Sequence, residues 1–259
     1  MNLTNNTILI TGGGSGIGLA LVKELLKHNN KIIISGRDIE KLKSAKKIFP
    51  ELEIIQCDIS NEDSVKALVQ EIKQKYSSLN FLINNAGIMR MWNIQKETTD
   101  ITEQKAEILT NVFGTIQLTQ SLIPHLSKQK NSFILTVSSA VAYAPMSVMP
   151  VYCATKAALH SYSISIREQL QNTNIKVFEL LPAGVDTEMA HEVERNLGID
   201  MGPKMAPDKL AILTLKGLAN DTYEMRPGMA NMLYKMNRFF PSLVKKMFAK
   251  ESKKILTKL

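Results

Sequence analysis

The 259-residue chain is poor in the features that mark several large classes of protein. It has two cysteines, Cys57 and Cys153, and four histidines, with no spacing among them suited to a metal. That excludes a disulfide scaffold, leaves no metal site to expect and makes a reducing cytoplasm the expected setting. No apolar run approaches the roughly 20 residues that span a bilayer. The stretch MNLTNNTILITGG has no basic segment followed by an apolar core, so no secretory signal is expected there. Repeats, low-complexity tracts and domain linkers are missing as well. What remains, at 44% hydrophobic and 22% charged, is the composition of a soluble globular chain able to bury a sizeable core in a single domain spanning 1–259.

The formal charge of +8 is unevenly placed. From Asn231 onward there are eight basic residues and one acid, a surplus of seven, so the charge describes a C-terminal extension (231–259) and not the body. The body is not expected to bind nucleic acid. In the extension, Leu243, Val244, Met247, Phe248, Ile255, Leu256 and Leu259 recur near helical spacing with lysines between them. A basic amphipathic helix of this kind can lie on an anionic membrane surface, pack on a partner subunit or fold back on its own domain.

Along the rest of the chain, short apolar runs alternate with helical periodicity. Strands are expected at Thr7–Ile10, Lys31–Ser35, Glu53–Cys57, Phe81–Ile83, Ser132–Val137 and Ile175–Leu181, with a last short one within Tyr223–Ala230. Helices are expected at Ile17–Leu26, Ile39–Ile48, Asn61–Tyr76, in two segments of Ile101–Leu126, and at Val151–Leu170 and Pro207–Ala219. This alternation predicts an α/β fold: a doubly wound parallel sheet in three layers, a Rossmann fold, with ligands at the strand C-termini. The stretch 188–206 is expected to be a loop with one or two helical turns, an insert over the substrate. Its methionines, with Met146 and Met149, either line an adaptable apolar pocket or fill the core.

The first strand runs into TGGGSGIG at 11–18. A strand, a glycine turn and a helix cradle a pyrophosphate at the helix N-terminus, which draws in Gly12, Ser15, Gly16, Ile17 and Gly18. The second strand ends in Gly36-Arg37-Asp38, where the adenosine ribose is expected. Arg37 suits a 2′-phosphate, so NADP(H) is favoured; Asp38 is read as the N-cap of the next helix. Were Asp38 turned inward, NAD(H) would be preferred. Asp58, at the third strand end beside Ile59, either accepts from the adenine amino group or caps a helix. Asn84 and Asn85, with Ala86 and Gly87, either pack under the cofactor or tie the sheet edge. Asn111, among apolar neighbours, is either satisfied by backbone or holds a water connecting Lys156 to solvent.

Tyr152 and Lys156 stand four residues apart, on one face of a helix. Ser139 follows the fifth strand. Together they place a hydroxyl, a phenol and an ammonium where a proton can pass to or from an oxygen beside a hydride acceptor. The nearby ammonium predicts a Tyr152 phenol that titrates below a free tyrosine.

TGGGSGIG at 11–18, NNAG at 84–87, Asn111, Ser139, YCATK at 152–156 and PAGVDT at 182–187 together resemble the short-chain dehydrogenase/reductase family, in its single-domain branch. The wording around them also resembles bacterial oxidoreductases named after the D-alanyl-lipoteichoic acid operon. The resemblance implies Tyr152 as general acid/base and Lys156 as the residue that lowers its pKa and holds the nicotinamide ribose. It implies Ser139 on the substrate oxygen and Asn111 in a proton relay. It also implies Val185 and Thr187 at the nicotinamide carboxamide, near Pro182, and Asn85 to Gly87 beside the adenosine. Ala183 departs from the family's usual Pro-Gly after the sixth strand. A homodimer or homotetramer built on the helices around Asn111 and Tyr152 is implied too. The expected activity is interconversion of a small-molecule carbonyl and alcohol with NADP(H). The alternatives are a catalytically silent nucleotide-binding regulator or membrane-surface scaffold, and a sugar-nucleotide epimerase.

Overall fold

The computed structural model describes residues 1–96 and 101–259. Seven strands form one sheet: β1 (Thr7–Thr11), β2 (Lys31–Gly36), β3 (Glu53–Gln56), β4 (Leu79–Asn84), β5 (Ser132–Val137), β6 (Ile175–Leu180) and β7 (Glu224–Met225). Their order is β3-β2-β1-β4-β5-β6-β7, with every pair parallel. The chain moves outward from β1 to β3, then crosses back to β4 on the other side of β1. That reversal opens a crevice at the C-terminal ends of β1 and β4, where ligands of open α/β sheets bind.

The sheet is buried on both faces, and the period of two decides which residue meets which layer. In β1, Ile8 and Ile10 join one core while Leu9 joins the other. The first core packs beneath α1 (Gly16–Leu26), α2 (Ile39–Ile48) and α8 (Pro207–Ala219). The second packs against α3 (Glu62–Lys75), α5 (Gly114–Leu126) and α6 (Pro150–Gln169).

Three segments differ from the sequence reading. The run Ile101–Leu126 is α4 (Ile101–Ile108), a π-turn (Leu109–Phe113) and α5. The segment after Thr187 is a ten-residue helix, α7 (Glu188–Leu197), and not a loop with one or two turns. Thr187 caps its start by accepting from Ala190 N, and Gly198 ends it in the left-handed region at φ +57°. The C-terminal extension is two helices, α9 (Met229–Phe239) and α10 (Pro241–Leu256), the first of which begins where a strand was expected. Only Glu224 and Met225 of that expected strand pair with β6.

Candidate active site

The groove begins where β1 ends. Gly12 adopts φ +65°, a conformation that glycine reaches without strain, and this turns the chain sharply toward α1. Gly18 does different work: an alanine Cβ there would lie 2.3 Å from the Gly12 carbonyl oxygen, so the helix packs directly on the loop. Ser15 caps α1 without a side-chain hydrogen bond, which leaves the first-turn N–H groups to the groove. Asn85 takes the second of its two expected tasks and ties the sheet at the end of β1. Its amide donates to the carbonyls of Thr11 and Gly12, and the Thr11 hydroxyl accepts from the N–H groups of Asn85 and Ala86. The NNAG turn thus braces the glycine loop, while Ala86 and Gly87 line the cavity. Asn84 ties β4 to α5 through Thr119, at 2.8 Å.

The cavity is about 600 Å³ and is lined by Gly12, Gly14, Ser15, Arg37, Lys41, Asp58 and Ile59, among others. Asp38 caps α2, accepting from Glu40 N and Lys41 N, as its sequence position suggested. The exposed Arg37 guanidinium has no ion pair among the described residues. Lys41, which sequence reasoning missed, lines the same groove. Asp58 does not cap α3; Asn61 does, and Asp58 closes a turn by accepting from Ser60.

Ser139 follows β5 in extended backbone, and α6 begins with Pro150 at its first position, placing Tyr152 in the first turn. Lys156, nearly fully buried, donates to the Val137 carbonyl at 2.9 Å, and its Nζ sits 5.5 Å from the Tyr152 ring centroid. A Cβ on Gly87 would lie 3.3 Å from Asn111 Oδ1 and 3.6 Å from Lys156 Nζ, so these three residues converge. Asn111 sits in the π-turn, fully buried. Its Oδ1 accepts from Ile88 N, and its Nδ2 donates to Ile88 O and Thr155 Oγ1. Both ends of the amide are engaged, the backbone-satisfied alternative.

Val185 has its side chain in the core, and its bridge to Met205 uses the Gly184 carbonyl and Asp186 N–H, so its own backbone groups stay outside the bridge. Thr187 stands opposite Gly16, whose added Cβ would touch Thr187 Cγ2 at 3.3 Å. The Pro182 carbonyl accepts from Ala140 N and the Ser139 hydroxyl.

The electrostatics overturn one expectation. Burial pushes the Tyr152 phenol well above a free tyrosine, Cys153 and Glu107 add to this, and the Ser139 hydroxyl pulls the other way. The ammonium that was to lower it is held at the Val137 carbonyl and is itself desolvated, its pKa brought down to about 8 against the pull of Glu179 and Glu107. Two buried carboxylates therefore bear on Lys156. Glu179 on β6 accepts from Ser138 Oγ and pairs with His160 Nδ1 at 2.8 Å, a contact that raises the His160 pKa. Glu107 accepts from Arg90 N, and burial raises its pKa. Both had a sequence signal: an acid between Phe178 and Leu180 inside a strand, and an acid one helical turn before Asn111.

Beside Tyr152 lies an apolar cluster of Val148, Met149, Cys153 and Ile255, with Met89, Met91 and Met146 packed around it. Leu256 and Leu259 join from the end of α10, where Asn93 Nδ2 donates to the Leu256 carbonyl. The methionines so expected divide between the two uses: Met189 lines the cavity, Met205 packs on the main core, and Met146 and Met149 belong to the cluster beside Tyr152.

A glycine-loop groove at the β1/β4 crossover, one wall of which is Gly87 beside Lys156 and Asn111, defines a dinucleotide-binding α/β protein. The short chain dehydrogenase family profile matches residues 6–198, and the chain belongs to that family. It is 39% identical to the uncharacterised oxidoreductase DltE of Bacillus subtilis (strain 168) over 223 residues, covering 86% of this chain and 83% of that protein. A short chain dehydrogenase from Burkholderia cenocepacia solved with NADP shares the fold at TM-score 0.83 and 24% identity, over 96% of this chain and 99% of that one. A relative from Burkholderia phymatum solved with NAD does so at TM-score 0.84 and 19% identity, over 94% and 96%. The protein is an oxidoreductase of a family whose structural neighbours bind either nicotinamide cofactor.

Proposed function

We propose that the protein interconverts a carbonyl and an alcohol with NADP(H), on a small substrate with an apolar portion. The adjacency of Ser139 to Tyr152 and of Tyr152 to Lys156, with Lys156 and Asn111 both against Gly87 of the groove wall, carries this reading. The groove fits the cofactor: free first-turn N–H groups on α1 suit a pyrophosphate, and the unpaired Arg37 with Lys41 suits a 2′-phosphate, while Asp38 is occupied as a cap. When bound, the nicotinamide supplies or accepts the hydride.

The remaining steps belong to the chain. The Ser139 hydroxyl holds the substrate oxygen. Tyr152, its phenol kept protonated at neutral pH by burial, donates its proton to that oxygen as the carbonyl carbon is reduced, and takes it back in the reverse direction. Lys156 holds a positive charge at neutral pH, stabilises the phenolate that results and lies where the nicotinamide ribose is expected. With the Asn111 amide fully engaged, a relay water near Lys156 would be held by main-chain groups of the π-turn. The apolar cluster beside Tyr152 supports a substrate with hydrocarbon character.

Tyr152→Phe tests this. Turnover should fall at least about 100-fold, the lower end for loss of a general acid, while NADPH titration stays as in the parent. Activity near the parent's would refute the role of Tyr152. A parent protein that binds neither NADPH nor NADH and turns over no carbonyl substrate would instead favour the catalytically silent regulator or scaffold. A homo-oligomer is supported by exposed Ile101 (73%), Ile108 (48%), Phe113 (42%) and Ile164 (39%) on the helices around Asn111 and Tyr152. Light scattering of the eluting protein tests it, and a monomer at all concentrations refutes it.

A further inference from the structure

The corner between α9 and α10 carries an apolar surface that the catalytic reading leaves unused. On α9, Met229, Met232, Met236 and Phe239 recur at intervals of three and four, one stripe along the helix. Three of the four face outward, Met229 at 44%, Met232 at 57% and Phe239 at 69% exposed, with Met236 half-buried between them and Ala230 on the inner side fully buried. The stripe continues round the turn through Phe240 (63%), Leu243 (50%) and Met247 (45%), while α10 buries Val244, Ser252 and Ile255 on its other side. Exposed Lys235, Arg238, Lys245, Lys246 and Lys250 flank the patch, and none has an ion pair among the described residues. The one acid of the segment, Glu251, is held by Lys254.

We propose that this corner is a docking surface for an anionic lipid bilayer. Exposed aromatic and aliphatic side chains beside unpaired cations are the composition of a helix that lies in the membrane interface, with the rings among the acyl chains and the ammonium groups at the headgroups. A second copy meeting this face across a two-fold axis would set the same cations against each other, a repulsive juxtaposition. Four of the five flanking cations are lysines, the residue that protein interfaces deplete. The chain has no helix among the described residues long and apolar enough to cross a membrane, so the contact is with the surface. This surface is separate from Ser139, Tyr152 and Lys156, and the proposal stands or falls apart from the cofactor assignment.

The full chain should sediment with vesicles of mixed phosphatidylglycerol and phosphatidylcholine and remain in solution with phosphatidylcholine alone. Added salt should release it. Phe239→Ser with Phe240→Ser should weaken partition about tenfold per ring, the equivalent of partial burial of an aromatic side chain. Lys245→Gln with Lys246→Gln should weaken it about fivefold per charge. All four residues are exposed, and an unchanged melting temperature verifies that each variant folds. Equal binding to both vesicle types, binding to neither, or full binding by the phenylalanine variant each overturns the proposal. A dimer that the phenylalanine variant abolishes, with no vesicle binding by the parent, assigns the face to a second copy instead.

Discussion

Arg37→Ala should weaken NADPH binding roughly 10- to 30-fold and leave NADH binding almost unchanged. A hydrogen bond to a charged group contributes about 1.5–3 kcal/mol, and about 1.4 kcal/mol is a factor of ten in affinity. Arg37 is exposed, so solvent screens the interaction and the lower part of that range applies, about 1.5–2 kcal/mol. Lys41 lines the same groove and retains part of the attraction, so the double variant with Lys41→Ala should lose more. Asp38→Ser is the control, since serine keeps a capping oxygen for α2. Nicotinamide fluorescence titrations with both cofactors provide the assay. They should be repeated at high salt, where the Debye length shrinks from about 10 Å at 0.1 M to about 3 Å at 1 M, and where the NADPH advantage should shrink with it. Equal losses for the two cofactors in Arg37→Ala would refute the reasoning. A marked loss of NADH in Asp38→Ser would make Asp38 the ribose ligand and reverse the preference.

Three further outcomes follow from the buried groups. Lys156→Met should stabilise the cofactor-free protein by about 1–2 kcal/mol near neutral pH. Lowering the Lys156 pKa from 10.5 to about 8 corresponds to about 3 kcal/mol, offset by a Val137 carbonyl left without its donor at about 1–2 kcal/mol. The penalty is full below pH 8 and is relieved as the folded protein sheds that proton between pH 8 and 10.5, so the variant's advantage in denaturant melts should fade over that window; an advantage independent of pH would sink the idea. Glu179→Gln removes the largest influence holding the Lys156 pKa up, so the alkaline limb of the pH–rate profile should move to lower pH, and an unmoved limb would show that Glu179 does not act on Lys156. Gly114→Ala would bring a Cβ within 2.1 Å of the Ile59 carbonyl oxygen; the α5 start must shift, at a cost of about 1–3 kcal/mol in a melt.

The sheet was legible because its strands are short apolar runs between polar breaks, and a continuous run such as Ile8-Leu9-Ile10 marks a strand buried on both faces. The α2 boundaries and the Asp38 cap were legible for a similar reason: capping is local chemistry. The π-turn was not, since it rests on contacts distant in sequence, Asn111 with Ile88 and Gly114 against Ile59. Helix α7 does carry apolar spacing at Met189, Val193 and Leu197, but the Gly202-Pro203 pair beyond it reads as loop. The titration of Tyr152 was misjudged because a spacing of four shows only that the ammonium is near. Where Lys156 points, and how much water Met149 and Ile255 exclude, belong to the packed molecule. Asn85 stood between packing under the cofactor and tying the sheet edge because its amide's bonds to Thr11 and Gly12, which join β4 to β1, cross the sheet and leave no mark on the local sequence.

Helix α10 ties its two ends to one rotational setting. Its sixteen residues span about 24 Å, from Pro241 at the exposed corner to Leu256 beside Tyr152. One added or deleted residue anywhere between them would turn the far end by about 100° relative to the near one. One added residue would put Lys254 in the place of Ile255, an ammonium inside the apolar cluster. Length changes that a surface loop absorbs are therefore barred along this stretch, although most of its side chains face water and can be exchanged one for another.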